Sequence, residues 1–133
     1  MIEPNNDRLT SGTFITFSGN CKKALSFYQS CFGGRLQFET FEEELHGYAE
    51  MPVVSGSLVS DRVIIHGSDL VHNEGRKLGN YISIFLYCKN TYDRKELIKK
   101  LEFDKKNLIA KNSDDQKLIE VTDAFDVGWI LAV

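Results

Sequence analysis

Few of the residue types that announce a function are present in this sequence. It holds 3 cysteines, 2 prolines and 1 tryptophan, with 3 histidines. Cys21, Cys31 and Cys88 are odd in number and show no CxxC spacing, so neither a disulfide framework nor a zinc knuckle is expected. Cys31 and Cys88 lie in apolar patterns, as small hydrophobes do, and a reducing cytoplasm is the simplest setting. Basic charge is not in excess: 16 Lys and Arg face 19 Asp and Glu, a net charge of −3. A nucleic-acid partner, which needs a basic stripe to neutralise phosphates, is therefore not expected. The densest basic patch, Arg94, Lys95, Lys99 and Lys100, is interleaved with Glu96 and Glu102 and reads as a solvated helix face. No apolar run approaches the ~20 residues of a membrane span, and the opening MIEPNNDRLTSG has no hydrophobic leader core. P-loop, GxSxG and dinucleotide-binding glycine patterns are missing too, and no cofactor is expected.

What is present begins with residues 13 to 34, TFITFSGNCKKALSFYQSCFGG. They read as a short strand, a capped turn, an amphipathic helix and a double-glycine stop. Ala24, Phe27, Tyr28, Cys31 and Phe32 recur at helical spacing and predict one apolar face. Asn20 has the side chain of an N-cap. Gly33 and Gly34 allow the left-handed backbone that ends a helix.

Further along, residues 35 to 41 alternate as a half-buried strand does, and 53–59 with 62–69 read as a hairpin around Ser60-Asp61. The order then recurs. Residues 81–88 (YISIFLYC) form a strong strand, Asn90 or Thr91 caps a second helix, and Leu97, Ile98 and Leu101 give that helix its apolar stripe. Strands at 107–111, 116–122 and 127–132 complete the pattern. One β-α-β-β-β order thus occurs twice, offset by about 70 residues, and neither half can cover its sheet alone. Residues 1–12 are expected to be a flexible N-terminus, and 13–133 one domain of two modules, about 13–69 and 81–133.

The segment Gly19-Asn20-Cys21, with Ala24, Leu25, Phe27, Tyr28, Phe32, Gly33 and Gly34, resembles the opening of the PhnB-like branch of the glyoxalase/bleomycin-resistance/extradiol-dioxygenase (vicinal oxygen chelate) superfamily. Ser68 and Asp69, then Val121, Thr122, Asp123, Phe125, Val127 and Trp129, extend the resemblance over nearly the whole chain. It implies an α+β fold of two βαβββ modules forming a cup-shaped mixed sheet, and a homodimer, since related proteins commonly pair. Two departures stand out: Asp126 replaces an expected Gly, and the segment before the last strands is short and lacks a Trp-Gly.

Many enzymes on that fold hold a divalent metal in the cup through His, Gln or Glu. The resemblance places the ligand positions at Thr13, Ser55, Ser83 and Ile130, none of them a competent ligand, where relatives commonly carry His in place of Ser55. A conventional metal site is therefore not expected. A demethylubiquinone-methyltransferase label borne by some members finds no glycine-rich turn to support it.

Among the histidines, His66 sits in the fourth strand and is the candidate for proton transfer or ligand binding, set against a strand histidine satisfied by a neighbour. His46 and His72 lie among Glu44, Glu50 and Glu74 in loops. The run Glu42-Glu43-Glu44 reads as a solvated loop. Cys21, at a helix start, has the position for a lowered pKa or for a purely structural role in the turn. Alternation in strand five puts Ile82, Ile84, Leu86 and Cys88 on one face and Tyr81, Ser83, Phe85 and Tyr87 on the other. With Ser55 and Ser57 these last four form a small-molecule pocket or, alternatively, filled core. The reading is a metal-free small-molecule binding protein of the PhnB-like type. The alternatives are a glyoxalase-like lyase or isomerase with a non-standard site, and a dimeric interaction protein with a filled cup. Whether the protein is an enzyme stays open at this point.

Overall fold

Strand propensity and one helical stripe per half account for the elements of the computed structural model, which describes residues 11–40, 52–69, 82–103 and 116–133. The chain forms two compact units, Met1–Lys77 and Leu78–Val133. Tyr81, the 107–111 strand, Glu42 to Glu44, His46 and His72 lie outside the described residues.

The first unit runs β1 (Thr13–Phe17), α1 (Cys21–Phe32), β2 (Arg35–Thr40), β3 (Val53–Val59) and β4 (Ile64–Asp69). Its sheet has the order β1-β4-β3-β2. The expected hairpin is β3 against β4, antiparallel, with Ser57 opposite His66, while β1 lies parallel to β4. Helix α1 buries Cys21, Ala24, Leu25, Tyr28 and Cys31. Phe27 and Phe32, expected on that stripe, are only half-buried, because the stripe is centred on Leu25 and Tyr28 instead. The glycine stop is present: Gly33 and Gly34 have φ of 72° and 102°. A Cβ on Gly34 would fall on the Val59 carbonyl and the Ser60 backbone, so glycine is required there twice over.

The start of α1 departs from the expected cap. Asn20 occupies the N-cap position but makes no side-chain cap hydrogen bond; among the described residues its Oδ1 accepts from Ser18 N alone, at 3.4 Å. Asp69, at the end of β4, does the work. Its Oδ1 accepts from Gly19 N at 2.8 Å and Cys21 N at 2.9 Å, and its Oδ2 accepts from Val53 N at 2.8 Å. Parallel pairing brings this carboxylate to the turn, since Phe17 stands opposite Asp69. One buried side chain thus ties the helix start to two strands.

The second unit contains β5 (Ile84–Tyr87), α2 (Thr91–Leu101), β6 (Leu118–Thr122) and β7 (Gly128–Ala132), with sheet order β5-β7-β6. Strand β5 is parallel to β7, and β6 antiparallel to it. Strands β5 and β1 therefore hold the same place in their units, each at an edge and parallel to the last strand. Asn90 caps α2 as expected, its Oδ1 accepting from Asp93 N at 2.8 Å. Arg94 is not on the solvated face: it is 1% exposed and shares the buried stripe with Leu97 and Leu101, seven residues apart end to end. One of its guanidinium nitrogens donates to the Lys117 carbonyl at 3.3 Å.

Asp123 organises the loop before β7. Its Oδ1 accepts from Phe125 N at 2.7 Å and Val127 N at 3.2 Å, and its Oδ2 from the buried Trp129 Nε1 at 2.8 Å. Asp126, which stands where glycine was expected, has φ of 64°. The turn keeps the glycine conformation, and aspartate is one of the few other residues that tolerate it.

Candidate functional site

Strand alternation assigns every candidate side chain to a face. In the first unit α1 lies against Gly56 and Gly67. A Cβ on Gly56 would come within 2.8 Å of Leu25 Cδ1, and one on Gly67 within 3.1 Å of Cys21 Sγ. The alternate residues of the same strands consequently project from the opposite face, away from α1. Cross-strand pairing sets them in rows: Gln37, Ser57, His66 and Phe14 in one, with Glu39 beside Ser55 in the next. Phe14 is 65% exposed and Gln37 is exposed, so the row is open at both ends, while Ser57 between them is buried.

Within the row, Ser57 Oγ and His66 Nδ1 are 3.1 Å apart and hydrogen-bonded. Ser57 is buried and His66 half-buried. A hollow of about 20 Å³, lined by Gln37, Phe38, Glu39, Ser55 and Ser57, lies alongside. That volume holds about one water-sized group; organic ligands occupy pockets of roughly 300 Å³ or more. The first unit offers a polar foothold rather than an enclosure.

In the second unit Leu86, Cys88, Trp129 and Leu131 are buried, and their alternates form the other face. Ser83 Oγ stands 2.9 Å from where a Cβ on Gly128 would be. Phe85 and Tyr87 follow on the same face as an edge-to-face pair, with centroids 4.9 Å apart at 85°. They are 50% and 73% exposed. Ile130 lies between Phe85 and Glu120 in register. Ser83, Phe85, Tyr87 and Ile130 are thus brought together, as are Ser55, Ser57 and His66 in the first unit.

Thr13 is not brought to the open face. It pairs with Ile65 and shares the side covered by α1, whereas its neighbour Phe14 pairs with His66. The internal repeat adds a second point. Phe85 opposite Ile130 in the second unit corresponds to Phe14 opposite His66 in the first. By that symmetry His66, rather than Ser55, is the counterpart of Ile130. With His66 counted in place of Ser55, the implied metal positions offer one imidazole, two hydroxyls and an isoleucine, with Thr13 on the far face, and such a donor set does not fit a divalent transition metal.

Cys21 has no activated thiol. Burial, aided by the nearby Asp69 carboxylate, pushes its pKa up from 9.0 to about 12. Desolvation of a thiolate outweighs any favourable field of the helix N-terminus. Sequence reasoning missed Gln37 and Glu39, although the alternation of RLQFETF already put Arg35, Gln37 and Glu39 on one side. Asp69 was visible only as half of a Ser-Asp pair with no role attached.

No family model matches the chain, and no curated protein matches it. Solved structures do. A PhnB protein from Bacillus cereus superposes with a TM-score of 0.73 at 20% identity, over 93% of this chain and 98% of that one. Protein PA1353 from Pseudomonas aeruginosa gives 0.72 at 21% identity, over 94% and 97%. The fosfomycin resistance protein FosX from Mesorhizobium loti gives 0.56 at 12% identity, over 99% and 92%. The likeness establishes the fold, that of the glyoxalase/bleomycin-resistance proteins, and agrees with the PhnB-like resemblance of the sequence.

Proposed function

We propose that this protein binds a small organic molecule on the alternate faces of its sheets, without a conventional metal site. Ser55, Ser57 and His66 are the contacts in the first unit, and Ser83, Phe85 and Tyr87 in the second; Tyr81 completes the set from outside the described residues. The observation that carries this reading is the composition of those faces. Polar side chains and large aromatic rings lie on them, and neither Phe85 nor Tyr87 is buried as core would be. Aromatic surface with a few convergent hydroxyls and an imidazole is how small-molecule sites are built. One protein of the same fold is named for fosfomycin resistance, which is consistent with a small-molecule role. A homodimer in the cytoplasm is the accompanying expectation. An acid–base role for His66, as in a lyase or isomerase, is the second reading, favoured by the Ser57 contact that orients the ring.

The test is a fragment screen followed by amide NMR shifts. Binders should perturb residues 55–57 and 66, and Ser55→Leu should abolish those shifts while circular dichroism stays native, since added bulk at an open site does not overpack a core. Unfolding of Ser55→Leu, together with no binder to the native protein, would leave the filled-cup interaction protein as the better reading.

A further inference from the structure

We infer that the buried Ser57 hydroxyl locks neutral His66 in the tautomer protonated at Nε2. The open face then presents a hydrogen-bond donor at that point and selects a ligand with an acceptor oxygen, a carbonyl or carboxyl. The inference rests on the proposed function for the existence of a ligand, but not for the tautomer.

Ser57 is 1% exposed, and among the described residues its hydroxyl makes one hydrogen bond, to His66 Nδ1 at 3.1 Å. A neutral imidazole has one N–H donor and one lone-pair acceptor, and a hydroxyl has a single proton to give. Two arrangements satisfy the distance. If Nδ1–H donated to Oγ, the Ser57 proton would have no acceptor among the described residues and would need a water held in the adjacent hollow. A buried, unsatisfied donor is the costly case. If Oγ–H donates to Nδ1, both groups are satisfied, and the ring proton must reside on Nε2. The second arrangement is favoured, because it satisfies both groups without a trapped water.

The consequence is chemical selectivity. Nε2 has no hydrogen-bond partner among the described residues, and His66 is half-buried, so part of the ring reaches the surface. An Nε2–H offers nothing to an ammonium group. It offers no lone pair to a metal either, because coordination through Nε2 would need the proton on Nδ1 and would strand the Ser57 hydroxyl. It does match an oxygen acceptor. Glu39, lying by Ser55 two strands away, roughly 10 Å across the sheet, supplies a complementary acceptor for the far end of the same molecule. Ser57 is a positioning residue here, and His66 the group that touches ligand.

Protein with 15N-labelled histidine, examined by long-range proton–nitrogen NMR correlation at neutral pH, tests this directly. The expected result is a single neutral tautomer with the proton on Nε2 and an Nδ1 resonance shifted by an accepted hydrogen bond; Ser57→Ala should remove that shift. A proton on Nδ1 in the wild-type spectrum overturns the inference, and that spectrum decides the matter even if the variant does not fold. An unchanged Nδ1 resonance in a folded Ser57→Ala overturns it as well. N-methylacetamide and acetate, added at equal concentration, should move the His66 Nε2–H resonance, and methylammonium should not. Movement by methylammonium alone sinks the acceptor-oxygen selectivity. The Nε2–H tautomer with no response on this face to any fragment would instead defeat the proposed binding function while leaving the Ser57–His66 lock standing.

Discussion

Substitution of Asp69 measures how the first unit is held together, and comparison with Asn20 makes the measurement decisive. In Asp69→Ala three backbone N–H groups lose their acceptor: Gly19, Cys21 and Val53, at 2.8, 2.9 and 2.8 Å. Hydrogen bonds to a charged acceptor contribute about 1.5–3 kcal/mol each. Two of these are fully buried, and the Gly19 amide is part-buried and can find water, so the sum is not additive. A loss of about 4–6 kcal/mol is expected, a large share of the roughly 5–15 kcal/mol that holds a domain folded. Asp69→Asn retains one carbonyl oxygen for Gly19 and Cys21 but turns its NH₂ toward Val53 N–H, and should cost about 2–3 kcal/mol. Asn20→Ala should cost under about 0.5 kcal/mol, because its one side-chain hydrogen bond among the described residues, from Ser18 N, is 3.4 Å long. A working N-cap would have cost about 1 kcal/mol or more. Urea denaturation followed by far-UV circular dichroism is the assay, since the single tryptophan, Trp129, reports the other unit. An Asn20→Ala cost exceeding that of Asp69→Asn would refute the assignment of the cap to Asp69.

The buried Cys21 thiol makes an alkaline prediction. Its pKa rises from 9.0 to about 12 on folding, so below pH 9 both states keep the proton and stability is unaffected. Above pH 9 the unfolded chain loses it first, and stability should fall by about 1.4 kcal/mol per pH unit until about pH 12. Cys21→Ala should remove that slope, and iodoacetamide at pH 8 should label Cys21 only in urea. For metal, elemental analysis of protein dialysed after purification should give well under one equivalent of zinc, nickel, iron or manganese, because Thr13, Ser55, Ser83 and Ile130 supply no imidazole or carboxylate and His66, the counterpart of Ile130, supplies only one imidazole; a full equivalent bound on the open faces would show the ligand positions misassigned.

The fold was legible in the sequence because its signals are local. Alternation marked β2, a hairpin around Ser60-Asp61 marked β3 and β4, helical spacing marked both helices, and Asn90 capped α2 as its type suggests. What was illegible needed partners distant in sequence. Asp69 caps a helix that starts 48 residues before it, and a local reading assigns that cap to the adjacent Asn20. Arg94 was placed with its charged neighbours, although its spacing to Leu97 and Leu101 already put it on the buried stripe. The stretch containing Thr13 looked like any strand, and only the pairing with Ile65 shows which way that side chain faces.

The same geometry explains why the family resemblance pointed to an architecture and stopped short of a reaction. Its opening and its ending both surround aspartates that each accept three N–H groups. Asp69 gathers Gly19, Cys21 and Val53; Asp123 gathers Phe125, Val127 and the Trp129 indole. In both places the glycine, aspartate and tryptophan of the motif are what a buried carboxylate needs to be satisfied, so a chain keeping them keeps the turn that closes each unit. Neither aspartate faces the open side of its sheet. The residues that do, among them Ser55, Ser57, His66, Ser83, Phe85 and Tyr87, occupy the alternate positions of the strands, where no fold-wide hydrogen-bond requirement fixes their identity. Ligand preference can therefore change by substitution on one parity while the other parity preserves the fold, and the Ser57–His66 pair is where the open face of this chain carries a definite hydrogen-bonding polarity.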